Sequence, residues 1–443
     1  MNGPNSQGID ETVAHFLKSF QKPARLLVAV SGGGDSVGLL LALDDALKTG
    51  GFSGFSLIAC TVDHALRAGS ADEALWVAAL CARRGILHVV RRWDGPKPEA
   101  GIQARAREAR HALLAEAARS HDADAIVTAH NLDDQRETIA MRKARRSDGV
   151  GLAGIAPATL LFGTHWVLRP LLGTSRANIR GYLKGIGQDW LEDPSNVNRN
   201  FERVRIRVEG ASEPTLRGEA AEGAGQAAAE VRARMAREGA AFLSREFRAV
   251  GADLAWLPVR AIMSAMDDEA HWRALLAVIA VLGGRAHLLE ADAGDRLKVF
   301  LASGRLSRMT AGRVVFDRRR EGLYLYREHR GIAPATVAPF DQTVWDGRWR
   351  VQNLSGTELL VRSAMDEAAL GSGEGDVPMG VVRRAARSSP LVLAGDTQAG
   401  DEHFALEPVL APYDRYLPVF DLPLAQAIAG LFGRAPYPAP PIP

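Results

Sequence analysis

Six residues near the start of the chain have the types and spacing to hold a phosphate. Ser31-Gly32-Gly33-Gly34-Asp35-Ser36 follows a short apolar run, Arg25–Val30, and precedes an apolar helical pattern, Val37–Leu47. Glycines let successive backbone N–H groups converge on one concavity, which binds an anion. The start of the following helix adds the positive end of its dipole. Ser31 and Ser36 supply hydroxyl donors, and Asp35 can hold a magnesium ion that bridges phosphates. No Lys-Ser or Lys-Thr follows the glycines, so this is not the Walker loop, and it is not G-x-G-x-x-G either. Glycines alone more often make a plain turn. The strand, the helix and the two serines flanking the acid point instead to the phosphates of ATP.

A second group of candidates is charged. Asp133, Asp134 and Glu137 fall in the first turn of a helical segment. Asp134 and Glu137 are three apart and share a face, whereas Asp133 points elsewhere. Acids in a first turn are ordinarily explained by the helix dipole. Arg107 and Arg110 also share a face, as a solvated surface or as a clamp for a carboxylate or phosphate. Arg203, Arg205 and Arg207 alternate, lining one face of a strand or coating a surface. His64 and His130 stand at the ends of strand patterns, where a histidine is more often an ordinary polar residue. Cys60 and Cys81 read as core residues, with no C-x-x-C and too few thiols for a disulfide scaffold or a Cys-only zinc site.

The elements that must position these residues alternate. Strands are predicted at 25–30, 56–62, 87–90 and 125–129, and helices at 37–47, 71–84, 103–120 and 134–144, with Gly85 as a helix stop. Such alternation predicts an α/β fold with a doubly wound parallel sheet. Ligands bind such sheets at the C-terminal ends of the strands, where the candidates lie. Three regions are expected: 1–212 catalytic, 213–335 helical, and 336–443 a small α+β region. Residues 230–310 read as helical, and short strands follow at 314–316, 322–326 and 345–351.

Composition bounds the class. The chain has 443 residues, 47% apolar and 24% charged, which excludes global disorder and collagen-like repeats. Its 54 Lys+Arg against 52 Asp+Glu give a net charge of +2, too small for a protein dominated by a basic nucleic-acid surface. One local cluster stands out: residues 136–148 carry five basic and two acidic side chains, net +3. No signal peptide and no membrane-length apolar run is visible, so a reducing, cytoplasmic compartment and no membrane partner are expected.

Ser-Gly-Gly-x-Asp-Ser after the first strand resembles the pyrophosphate loop of the N-type ATP pyrophosphatase (PP-loop) superfamily. Further elements resemble those of the tRNA(Ile)-lysidine synthetase family within it. They are Val62-Asp63-His64-Ala65-Leu66-Arg67, Ala106-Arg107-Glu108-Ala109-Arg110, Thr128-Ala129-His130-Asn131-Leu132-Asp133-Asp134-Gln135-Arg136-Glu137-Thr138, Gly151-Leu152-Ala153-Gly154-Ile155, Arg169-Pro170-Leu171-Leu172, Trp190-x-x-Asp193-Pro194-Ser195-Asn196 and Arg203-Val204-Arg205-Ile206-Arg207. They stand in family order across residues 24–210. Asn131 replaces the second histidine of the family's pair, His111 a tyrosine, Arg145-Arg146-Ser147-Asp148 an Arg-Gly-Ser-Gly run, and Val204 an asparagine.

The resemblance implies the adenine nucleotide alpha hydrolase-like fold and a ligase. ATP adenylates carbon 2 of the wobble cytidine of a CAU-anticodon tRNA(Ile), releasing pyrophosphate. Free lysine then displaces AMP to form lysidine. It implies ATP and Mg2+ as cofactors, with Ser31, Gly32, Gly33, Gly34, Asp35, Ser36, Asp63, His64 and Arg67 around the nucleotide and Asp35 and Asp134 on the metal. Asp35, Asp134, Glu137 and His130 are the expected catalytic residues. Lysine is expected at Asp134 and Glu137, further substrate contacts at Arg107, Arg110, Arg203 and Arg207, and the anticodon arm at Arg145 and Arg146. Residues 336–443 are expected to recognise the rest of the tRNA, and the family is often dimeric, which leaves a homodimer open. A tRNA thiolase of the same superfamily and an inactive tRNA-binding homologue are the alternatives. The cysteines argue against the first, and intact Asp35, Asp134 and Glu137 against the second.

Overall fold

The computed structural model describes residues 8–66, 69–95, 97–98, 101–145, 149–192, 219–365 and 377–443. The chain divides into two compact units, Met1–Arg232 with Pro418–Phe420 and Pro438–Pro443, and Ala233–Leu417 with Asp421–Tyr437.

The first unit begins with α1 (Ile9–Lys18) and then alternates β1 (Arg25–Ala29), α2 (Gly34–Thr49), β2 (Ser56–Asp63), α3 (Ser70–Arg84), β3 (Leu87–Arg92), α4 (Ile102–Ser120), β4 (Ala125–Val127), α5 (Leu132–Ala144), β5 (Ala158–Leu161), β6 (His165–Leu168) and α6 (Arg176–Gly185). The strands lie in the order β5-β6-β4-β1-β2-β3. β1 pairs in parallel with β2 and with β4, placing Leu27 beside Ile58 and Ile126. β2–β3 and β4–β6 are also parallel, and the β5–β6 hairpin is antiparallel. β1 and β4 are almost continuously buried, as strands covered on both faces must be.

This order sets the site. After β1 the chain builds outward to β2 and β3, and it returns to the other side of β1 for β4. The strand order therefore reverses between β1 and β4, and a crevice opens past their C-terminal ends. Ser31–Ser36 leaves β1 on one side of it, and Thr128–His130 leaves β4 on the other. The fourth strand ends at Val127 rather than at the expected 129, which frees Thr128, Ala129 and His130 for the crevice. Helix α6 crosses α2 closely because Gly38 has no side chain: a Cβ there would stand 2.4 Å from Cγ2 of Ile179.

In the second unit the expected helical stretch 230–310 is corrected. Arg248–Val250 (β7) and Leu254–Pro258 (β8) form a hairpin, because Gly251 turns the chain with a φ of +58°. With β9 (Arg308–Ala311), β10 (Val314–Arg318) and β11 (Gly322–Arg327) they make an antiparallel sheet ordered β7-β8-β11-β10-β9. After β12 (Ala335–Val337), the expected strand 345–351 is two strands, β13 (Gln342–Trp345) and β14 (Trp349–Asn353). Asp346 and Gly347, at φ of +51° and +71°, make the turn between them. Asp346 is also a buried hub, 2.9 Å from Arg327, 2.8 Å from Arg348 and 2.6 Å from Arg313. Burial raises its carboxyl, but Arg327 and Arg348 outweigh that and hold it below the ordinary range.

Candidate active site

The glycine loop has the shape its residue types predict. Gly32 adopts a φ of +86°, open to glycine and strained for other residues. Gly33 is extended and caps α2, which starts at Gly34. Ser36 Oγ accepts from the Ser31 N–H at 3.2 Å and donates to the Gly33 carbonyl at 2.9 Å, which fixes the turn from inside. The segment Trp190–Leu191 closes its outer side: the Leu191 N–H donates to the Gly32 carbonyl at 2.9 Å. Leu191 also fills the space where a Gly32 side chain would stand.

A cleft of about 690 Å³ opens above this loop. Ser31, Gly33, Gly34, Asp35 and Ser36 line one side, Asp63 and His64 a second, and Thr128, His130 and Asp134 a third. Arg110 lines it too, with Arg176 and Arg180 from α6. Its volume suits a nucleotide. Gly32 lies behind the loop, and Glu137 is buried beside the cleft.

Asp134 is placed by the start of α5. The Asn131 side chain accepts from the Asp134 N–H at 3.1 Å, and the Asp134 carboxylate accepts from the Asn131 N–H at 3.0 Å. This reciprocal pair is a capping box. The departure from histidine at 131 thus supplies a helix cap that orients Asp134, and Asn131 is fully buried in that role. His130 Nδ1 lies 3.0 Å from the Thr128 hydroxyl.

Arg176, the first residue of α6, draws the acids together. Its Nε is 3.1 Å from Asp35 Oδ2, its Nη2 3.3 Å from Asp134 Oδ1, and its Nη1 3.8 Å from Glu137 Oε1. Asp133 takes a different part, as its sequence position predicts: its carboxylate accepts the Arg176 backbone N–H at 2.8 Å. Sequence reasoning missed Arg176. Its signal was a cation in the first turn of a helix, against the macrodipole, but that signal is readable only once Ser175 is known as the N-cap, accepting from Asn178 N–H at 3.2 Å.

Burial is the largest influence on Asp134 and raises its pKa. Glu137 and Asp35 add to the rise, while the Asn131 N–H and Arg176 oppose it. The Arg176 guanidinium is held above its ordinary value: burial lowers it, but the three carboxylates prevail. Burial also raises Asp63, yet hydrogen bonds from Ser70 and from the Ala65 N–H (2.7 Å), with the charge of Arg92, carry it below the ordinary range. His64 is lowered by burial and then by Arg110, so it is neutral at pH 7. His111 is pushed down to about 3, by burial first and then by Arg107, Arg110 and Arg169. Cys60, at the cleft wall, is a protonated thiol raised to about 12 by burial, and Cys81 is raised to about 11.

The structure thus gathers Ser31, Gly33, Gly34, Asp35, Ser36, Asp63, His64, Arg110, His130 and Asp134 at one cleft. Arg107 is exposed on α4, one turn from Arg110. Arg145 caps the far end of α5, eleven residues from Asp134 and so roughly 16 Å along the helix. Arg67, Arg146, Arg203 and Arg207 lie outside the described residues. Among the described residues no group of three His, Cys, Asp or Glu is arranged as a metal site. A magnesium ion on ATP needs only one or two carboxylates besides phosphate and water. Asp35 and Asp134 fit that need, since Asp35 Oδ1 is buried without a hydrogen-bond partner among the described residues.

The family model described as a PP-loop domain matches residues 5–211. A tRNA(Ile)-lysidine synthase from Rhizobium meliloti (strain 1021) is 44% identical over 98% of this chain and 97% of its own length. A tRNA(Ile)-lysidine synthase from Mesorhizobium japonicum is 41% identical over 94% of each chain. Among solved structures, a U34-tRNA thiolase from Methanococcus maripaludis with its [4Fe-4S] cluster aligns over 50% of this chain and 78% of its own, at a TM-score of 0.42 and 14% identity.

Proposed function

Because the chain belongs to the tRNA(Ile)-lysidine synthase family, we propose that its cleft joins free lysine to carbon 2 of the wobble cytidine in the CAU anticodon of tRNA(Ile), using ATP. The observation that carries this reading is the meeting, at one cleft, of a phosphate cradle and a partly buried acidic group. The cradle is Ser31–Ser36, and the acids are Asp35, Asp134 and Glu137.

The reaction has two displacements. The carbon-2 oxygen of cytidine attacks the α-phosphorus of ATP, and pyrophosphate leaves. The backbone N–H groups of the glycine loop and the start of α2 receive the charge that gathers on the departing phosphates. Ser31 and Ser36 add hydroxyl donors at the same wall. Asp35 and Asp134 are the residues that would hold Mg2+, which when bound neutralises phosphate charge. The lysine ε-amine then attacks carbon 2, and AMP leaves with the electron pair of the carbon–oxygen bond. Glu137 and Asp134 attract the ammonium beforehand. Asp134, its carboxyl raised by burial, is the better matched of the two to take the ammonium proton. Arg110, at the cleft wall, and Arg107, one turn away, supply positive charge for a carboxylate or phosphate.

Nothing in the site favours sulfur transfer, since both thiols are buried and held protonated. No helix of the described residues is long and apolar enough to cross a membrane. The test is mutational. Asp35→Ala should abolish tRNA-dependent pyrophosphate release, whereas Glu137→Ala should leave that release and raise the lysine requirement on the order of tenfold or more. An equal lysine requirement in wild type and Glu137→Ala would remove Glu137 from the lysine site.

A further inference from the structure

We propose that Arg176 is a resident counter-cation of the acidic site, which the ammonium of the incoming substrate must displace. This rests on the reading of Asp134 and Glu137 as the groups that bind lysine.

All three nitrogens of the Arg176 guanidinium face the acids, one carboxylate each, at 3.1, 3.3 and 3.8 Å. Those are the oxygens an ammonium would use. A second cation cannot take them while the guanidinium stays, because like charges within a few ångströms repel. The carboxylates hold the guanidinium alone: the backbone of Arg176 is anchored separately, by the 2.8 Å bond from its N–H to Asp133. The guanidinium can therefore move away without moving α6. Its position in the first turn works against the helix dipole, so the carboxylates alone favour it there. When a ligand occupies them, that attraction is gone. Arg180, one turn further on, is engaged with Glu192 at 3.3 Å and stands over the Trp190 ring.

A displaced counter-cation weakens the binding of its competitor. The resting site therefore binds lysine less tightly than its three carboxylates would alone. Removing the guanidinium should tighten lysine binding, the opposite of what losing a contact residue does. A lysine side chain at 176 offers a single ammonium, which cannot span three carboxylates as the planar fork does. It should give an intermediate effect.

The experiment is calorimetric titration of L-lysine into the full chain without ATP or tRNA, comparing wild type, Arg176→Gln and Arg176→Lys. Arg176→Gln should bind at least about tenfold more tightly than wild type, and Arg176→Lys about threefold more tightly, a difference calorimetry resolves. Norleucine, with the same carbon chain and no ε-amine, should show no such order. If Arg176→Gln is poorly folded, the comparison of Arg176→Lys with wild type still decides. Equal or weaker lysine binding in the variants, no binding by any of them, or the same order with norleucine would overturn the proposal. Failure of the wild type to transfer lysine to a CAU-anticodon tRNA would instead overturn the reading on which it rests.

Discussion

A single methyl group at Gly32 probes the packing that shapes the phosphate loop. Gly32 has a φ of +86°, and an added Cβ would stand 2.7 Å from Leu191 Cδ1 and 3.3 Å from its Cγ. The backbone strain of an L-residue there costs about 1–2 kcal/mol. Forcing Leu191 aside costs about 1–3 kcal/mol more. Gly32→Ala should therefore destabilise the first unit by roughly 2–5 kcal/mol. In a unit of this size that lowers its melting temperature by about 4–20 °C. The two shares are separable. Leu191→Ala removes the side chain that the added methyl group would strike and leaves the backbone strain. Leu191 is only half-buried, so its truncation alone costs less than the 2–5 kcal/mol of a core leucine. The double variant should be more stable than the sum of the singles by about 1 kcal/mol or more. Thermal unfolding read by fluorescence gives the stabilities, and titration with a non-hydrolysable ATP analogue gives the affinity, which Gly32→Ala should weaken. A loss below about 0.5 kcal/mol with unchanged ATP affinity, or strictly additive variants, would refute the role assigned to Gly32 and Leu191.

Three more outcomes follow from named contacts. Asn131→Ala removes the α5 cap and should cost about 1 kcal/mol, mostly restored in Asn131→Ser, with a raised lysine requirement in the alanine variant; unchanged stability and lysine requirement would detach Asn131 from Asp134. His111 stays neutral in the folded state down to about pH 3, while the unfolded chain binds a proton near 6.5. The unfolded state therefore holds more protons between these values, so stability falls with falling pH, by up to about 1.4 kcal/mol per pH unit. His111→Tyr should flatten that acid limb of a urea-unfolding series, and an identical slope in both proteins would contradict the burial of a neutral imidazole. Arg145→Glu should weaken tRNA binding and reduce the salt slope by about one, and an unchanged slope would place the tRNA away from the end of α5.

Most of the first unit was legible because its signals are local. The alternation of apolar runs with helical periods gave β1 to β4 and α2 to α5 within a few residues, and Gly85 ends α3 in the left-handed region as expected. The phosphate loop was legible for the same reason, since its glycines, serines and acid are contiguous. The site's tertiary parts were not. Arg176 lies 141 residues from Asp35 and 42 from Asp134, so only the folded chain shows that one guanidinium serves both. Leu191 is an unremarkable leucine until it is seen sealing Gly32. Asn131 looked like the loss of a family histidine, whereas it caps α5. In the second unit the periodicity of 230–310 concealed the β7–β8 hairpin, because eleven residues with alanine on both sides of one glycine suit either structure. Net charge was the least telling number. A value of +2 averages over the opposite needs of the proposed reaction, acids for magnesium and a cationic substrate, and basic residues for phosphates and RNA.

The most direct test follows labelled lysine into tRNA. Purified protein with ATP, Mg2+, radiolabelled L-lysine and a tRNA(Ile) transcript bearing the CAU anticodon should yield labelled tRNA, with one AMP and one pyrophosphate formed per lysine incorporated, and Asp35→Ala should yield none. Folded wild-type protein that incorporates no lysine, or that forms AMP only when a sulfur donor is supplied, would contradict the ligase.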